Sequence, residues 1–422
     1  MQHTLLFLSS AFLTAVTIAP ALLAQDADQD QIQQTNAPKL NGYFTVRPAK
    51  KADVEALQKQ LEKFGPPATT TIPVSSYKVT SSRDGNSYSG TIVGSNPFTG
   101  GTSASVHTFI VPLKIVTNTI GINYDSSTGN FSTKSGVTTF DPNAADKSCL
   151  GSSNNVPVTL LQQSPITQST ATFTWGGTDL GTTQYIDAFQ RANFYAVDNH
   201  STYHVLLNPV TTVKEITVNV PAANGTTIPQ PPFNACGRMG IVDINWFDNF
   251  VINTLIPSLK SQGVGPTTFP IFVVHNVVWA ATPITNIGDC CYGGYHGAFQ
   301  VGSTIQTYSP FDFDSTDLLG IGFLDTAIAA HEVGEWANDP FGNNPTPAWG
   351  HVGQQSGCQT NLEVGDPLTG TLAPTTVMPN GFSYHLQELA FFNWFYGKPS
   401  DGIHGWFSNN DVFYHDAGPV CQ

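Results

Sequence analysis

Residues 330–340 of this 422-residue chain read Ala330-His331-Glu332-Val333-Gly334-Glu335-Trp336-Ala337-Asn338-Asp339-Pro340. His331 and Glu335 are four apart, so a helix stacks them on one face. Glu332 directly follows the histidine, where the zinc motif H-E-x-x-H carries its general base. Glu335 stands where that motif has its second histidine. An apolar run, Leu324, Ala327, Ile328, Ala329 and Ala330, leads into the motif, and the spacing predicts a helix over 323–338. Asp339-Pro340 ends it, because proline cannot continue a helix. If the helix is buried, its histidine and two glutamates must be neutralised or must coordinate a cation. The competing reading is a solvated i, i+4 His/Glu pair on a surface helix.

A second acidic cluster follows, Asn361-Leu362-Glu363-Val364-Gly365-Asp366-Pro367. Glu363 is the candidate third ligand. Asp366 is the candidate partner for the other ring nitrogen of His331, since a ligating histidine needs that nitrogen held. The alternative is a Gly/Pro-rich loop with two solvated acids. His351, between the two clusters, is a candidate catalytic donor or alternative ligand. His275, inside an apolar strand, reads as a satisfied core histidine, and His385 and His404 are further candidates.

His331-Glu332-x-x-Glu335-x-x-x-Asp339-Pro340 followed by Glu363-x-Gly365-Asp366 resembles the pattern of exordium-like (phosphate-induced protein 1) secreted proteins. It also resembles related bacterial secreted proteins of zinc-metalloprotease-like type. Gly294-Tyr295-His296 behind a Cys pair and Gln387-Glu388 near a C-terminal Trp are similar in kind. The resemblance spans roughly residues 235–420. It departs at Pro367-Leu368, where a cysteine is expected, and at Trp336, where a small residue is usual. It implies an exported protein with a zincin-like region, a Glu363–Asp366 pair serving the metal site, and a polypeptide substrate or an extracellular matrix or wall partner.

The metal set read here is His331, Glu335 and Glu363, with Glu332 and His351 as catalytic groups. Zinc is the expected ion, and the oxygen ligands leave Mn²⁺ or Ca²⁺ open. The expected function is a secreted metal-dependent peptidase. The alternative is a non-catalytic wall- or carbohydrate-associated binding protein with a structural metal site.

The length allows one large or two medium domains. Residues 1–24 form an apolar run ending in Leu22-Leu23-Ala24 and read as a signal peptide, with an uncleaved anchor as the alternative. That reading places the chain outside the cell or in a periplasm. A net charge of −14 argues against nucleic acid and anionic membranes as partners. The six cysteines, Cys149, Cys236, Cys290, Cys291, Cys358 and Cys421, show no C-x-x-C spacing and read as disulfides, with Cys290 and Cys291 expected to bond different partners.

The organisation read from pattern is α+β. Residues 25–72 are a polar segment and a short helix over 48–64, either a pro-segment or an N-terminal cap; 73–235 are β-rich; 236–422 are the zincin-like region. Within the last, the pattern predicts a helix from Asp243 to Gly263 kinked at Pro257 and a buried strand over 270–279. A Gly/Cys-rich loop to Gln300, a substrate-binding edge strand over 303–309, the motif helix and a helix over 386–396 follow.

Overall fold

Aromatic and β-branched residues crowd the runs at 104–117, 268–280 and 290–313, and these build the centre of a 13-stranded mixed sheet. The fold is mixed α and β, with few helices and a β-rich sheet that curls nearly into a barrel. The computed structural model describes residues 43–422 apart from 65–70, 118–120, 126–129, 135, 149–154, 199, 229–236, 282–289, 351, 354–356, 374–375, 398, 414–420 and 422. The expected signal peptide, Cys149, Cys236 and His351 lie outside the described residues.

In chain order the elements that place the site are β1 (Tyr43–Arg47), α1 (Lys51–Phe64), β2 (Ala104–Thr117), α2 (Tyr185–Asn193) and β3 (Val205–Thr212). Then come β4 (Met239–Asp243), α3 (Ile244–Phe250), β5 (Thr268–His275), β6 (Val277–Ala280), β7 (Cys290–Val301) and β8 (Thr304–Phe313). The motif helix is α4 (Ala327–Asn338), and α5 (Phe392–Tyr396) lies near the C-terminus. The sheet runs β3-β2-β5-β8-β7-β6-β4 and continues into shorter strands. Its first three links are parallel, and β8–β7 and β7–β6 are antiparallel. β2 lies between β3 and β5, so the change of character at 235/236 does not separate two bodies, and residues 38–422 form one compact unit.

Five local expectations change. The stretch read as a Gly/Cys-rich loop contains β7, whose glycines let α4 pack closely on the strand rather than break it. The strand expected at an edge is β8, an interior strand paired with β5 and β7. The C-terminal helix shrinks to α5, because residues 386–391 spend their backbone groups on neighbours: Ala373 N–H donates to Leu386 O, Glu388 N–H to Thr371 O and Ala390 N–H to Val364 O. Cys290 and Cys291 pair with each other across a cis peptide bond that brings their Cα atoms to 3.0 Å, and Cys358 pairs with Cys421. The strand expected over 270–279 is split by Asn276, with φ of 56°, into β5 and β6.

Every residue of α4 is buried. Trp336 stacks on Phe269 at 3.8 Å between ring centroids and donates Nε1–H to Thr307 Oγ1 on β8. Asp339 closes the helix, its carboxylate accepting the backbone N–H groups of Asn343 and Asn344. Burial on every face answers the choice the motif posed: this is not a solvated surface helix.

Candidate metal centre

The motif helix brings His331, Glu332 and Glu335 under the sheet at 0–1% exposure. β7 supplies His296, fully buried against the same helix. The segment after residue 361 supplies Glu363 and Asp366, also buried. Two ligand groups converge within 4.8 Å: His331–Glu335–Asp366 and His296–Glu332–Glu335. Among the described residues Glu363 belongs to neither; it accepts from Asn361 Nδ2 and lies close enough to Glu335 to share a hydrogen bond with it.

Hydrogen bonds fix the state of both histidines. Gln387 Nε2 donates to the Gly365 carbonyl at 2.7 Å, which a carbonyl requires, so its Oε1 faces His331 Nδ1 at 3.1 Å. An amide oxygen only accepts, so Nδ1 carries the proton and Nε2 presents a bare lone pair. His296 Nε2 lies 3.1 Å from the Asp339 carbonyl and therefore donates, so in the neutral ring that a metal takes Nδ1 is the bare nitrogen. The two bare nitrogens face carboxylates. His331 Nε2 is 3.0 Å from Glu335 Oε1 and 3.6 Å from Asp366 Oδ1. His296 Nδ1 is 3.5 Å from both Glu332 Oε2 and Glu335 Oε2. Neither nitrogen makes a hydrogen bond, and neither oxygen of Glu332 does. A lone pair set against an acceptor is satisfied only by a shared proton or a cation.

Burial perturbs His331 and the three glutamates. It lowers the His331 pKa to about 4 against the opposing pull of Asp366 and Gln387. It raises Glu335 to about 8, moderated by bonds from Glu363 and the Gly365 and Asp366 amides. Burial, then the neighbouring carboxylates, push Glu332 and Glu363 well above the ordinary range. Without a cation the cluster must hold neutral acids; with one, the carboxylates ionise as ligands. Ligand atoms about 2.0–2.2 Å from zinc in tetrahedral geometry lie about 3.3–3.6 Å apart; three of the four His–carboxylate separations, at 3.5–3.6 Å, match this, and His331 Nε2–Glu335 Oε1 is closer at 3.0 Å. The residues fit a metal ion.

The surrounding chain is shaped to this cluster. A side chain at Gly365 would collide with the His331 ring. One at Gly294 would sit 2.8 Å from Glu332 Oε1. β1 runs parallel to β7 with Phe44 opposite Gly294 and Val46 opposite His296. The Phe44 ring stacks on His331 at 3.7 Å, covering the cluster from that side. The segment presenting Glu363 and Asp366 is tethered by Cys358–Cys421.

His331, Glu335, Glu363 and Asp366 lie in one buried cluster, but the group that converges with His331 and Glu335 contains Asp366 rather than Glu363, the third ligand read from the sequence. Asp366 faces the bare Nε2 of His331, whereas the partner of Nδ1 is Gln387. Sequence reasoning missed His296 and Gln387 as parts of the site. The histidines outside it are satisfied elsewhere: His275 by Ser315, His385 by Asp325 at 2.6 Å, and His404 by Thr178. No family model, curated protein or solved structure matches this chain.

Proposed function

We propose that this chain is a secreted metal-dependent hydrolase, most simply a zinc peptidase of zincin-like and exordium-like character. The observation that carries the reading is the pair of buried, hydrogen-bond-fixed histidines whose bare nitrogens face carboxylates. His331, Glu335 and Asp366 would hold the ion, with Glu363 held against Glu335. A divalent cation in such a site polarises a carbonyl and acidifies water. Glu332 is the chain's proton acceptor: Oε1 lies beside the glycine backbone of β7, and burial raises its proton affinity toward that of a working base. Gln387 and the Asp339 carbonyl hold the two imidazoles in the ligating tautomer. The test is Glu332→Gln, which should fold and keep the ion held by His331, Glu335 and Asp366 while losing peptide hydrolysis by at least about 100-fold. An active E332Q protein ends the base assignment. No metal-dependent cleavage of any unfolded protein by the wild type ends the peptidase reading.

The near-complete burial of the ligands favours a second reading, because structural metal sites are closed whereas catalytic ones keep an open position. In it the metal only stabilises a wall- or carbohydrate-binding protein. The nearby cavity of about 340 Å³, lined by Phe173, Trp175, Tyr185 and several threonines, would then be the ligand site. Carbohydrate binding by metal-loaded protein without hydrolysis would decide for it.

A further inference from the structure

We propose that the centre holds two divalent cations, bridged by Glu335, with His296 the defining ligand of the second. The proposal rests on the metal-site reading above and deepens it. Its first ground is that Glu335 uses its two oxygens in different directions: Oε1 faces His331 Nε2, and Oε2 faces His296 Nδ1. The two convergent groups share this one residue, and among the described residues no group drawn within 4.8 Å contains both histidines. One ion therefore does not collect both bare nitrogens from this arrangement. A carboxylate bridging two ions about 3.5–4 Å apart does.

The second ground is independent of that geometry. His296 is fully buried, its tautomer is set by a backbone carbonyl, and its Nδ1 has no hydrogen-bond partner. A cation held only by His331, Glu335 and Asp366 leaves that nitrogen, and both oxygens of Glu332, unsatisfied in the interior. An unmade hydrogen bond at a buried polar group is expensive, and more so at a charged one. A second cation between His296 Nδ1, Glu335 Oε2 and Glu332 Oε2 satisfies the nitrogen and one oxygen of Glu332 and leaves Oε1 as the proton acceptor.

Charge points the same way. Glu332, Glu335, Glu363 and Asp366 are all buried, and among the described residues no lysine or arginine forms an ion pair with the three glutamates. One divalent ion balances only two of the three glutamate charges and leaves the third buried without a counter-ion.

The experiment is metal stoichiometry on the purified, folded chain. Protein is stripped with chelator, reloaded with Zn²⁺ or Mn²⁺ and freed of excess, and bound metal is read by elemental analysis. Spin coupling between Mn²⁺ ions is read by electron paramagnetic resonance. The expected result is two ions per chain with a coupled Mn²⁺ signal. His296→Ala and His331→Ala should each fall to one ion and lose the coupling, and Glu335→Ala should weaken both. Circular dichroism on each variant separates loss of metal from loss of fold. His296→Gln, which keeps a polar side chain of similar reach, serves where the alanine variant unfolds. One ion in wild type, unchanged by either His296 substitution, overturns the second site and leaves the first intact. No bound metal at all overturns both.

Discussion

Removing metal should invert the pH dependence of stability, and the structure sets the window. In the metal-free protein burial lifts Glu335 from an unfolded value near 4.5 to about 8. The native state then binds a proton that the unfolded state has released, so stability from this group is complete below about pH 4.5 and is lost as pH rises through 8. At about 1.4 kcal/mol per pH unit the loss from Glu335 alone is about 5 kcal/mol. Glu332 and Glu363 shift in the same direction and add to it. His331 acts from the other side. Burial lowers it from 6.5 to about 4, so its contribution is present above 6.5 and is lost as pH falls through 4, by about 3 kcal/mol. The stripped protein should therefore lose stability from about pH 5 upward, because three glutamates outweigh the one histidine, and should weaken steeply toward pH 8, where the loss approaches the whole stability of an ordinary domain. Bound metal should abolish the alkaline loss, because the ionised carboxylates are then its ligands. The assay is thermal unfolding from pH 4.5 to 9, with chelator and with saturating Zn²⁺. A melting temperature of the chelated protein that is flat or rising between pH 5 and 8 would refute the reasoning. Glu335→Gln should flatten the alkaline limb.

Two further outcomes follow from the supporting residues. Gln387→Leu removes the acceptor that fixes His331 and should weaken metal binding about 10- to 100-fold in a chelator competition, while Gln387→Glu, which keeps an acceptor, should restore most of it. Unchanged affinity in Gln387→Leu would mean that the tautomer is set elsewhere. Gly365→Ala places a methyl group into the His331 ring and should lower metal occupancy more than overall melting temperature; equal occupancy would show that the loop gives way freely.

The sequence carried the helix and the ligands on it because their relation is local: i, i+1 and i+4 on a helix are fixed geometry. Glu363 and Asp366 were within reach because an acidic pair at short spacing stands out in a Gly/Pro-rich segment. His296 was legible as a residue but not as a ligand. It lies 35 positions before His331 in a stretch whose glycines signal a loop, and only the pairing of β7 with β8 and the packing of α4 on it bring Nδ1 to Glu335. Gln387 was hidden by the aromatic spacing of residues 389–395, which matches a helix, although the backbone there bonds sideways. The α1 helix, with Val54 and Leu57 buried, and the helix capped by Asp243, whose carboxylate accepts from Asn245 and Trp246 N–H, came directly from periodicity and capping chemistry. The edge strand did not, since strand order in a sheet is a property of pairings far apart in the chain.

β1 gives the centre a kinetic property as well. The cluster is walled by α4, β7 and the 361–366 segment, and the strand over it is only Tyr43–Arg47, whose Phe44 ring lies flat on His331. A short strand bound along one side opens at a fraction of the free energy of global unfolding. Ions can enter and leave through that opening without the sheet coming apart. If the centre holds metal as proposed, its exchange should run at the rate at which residues 43–47 peel from β7, so that a chelator in large excess should strip the protein no faster than a dilute one.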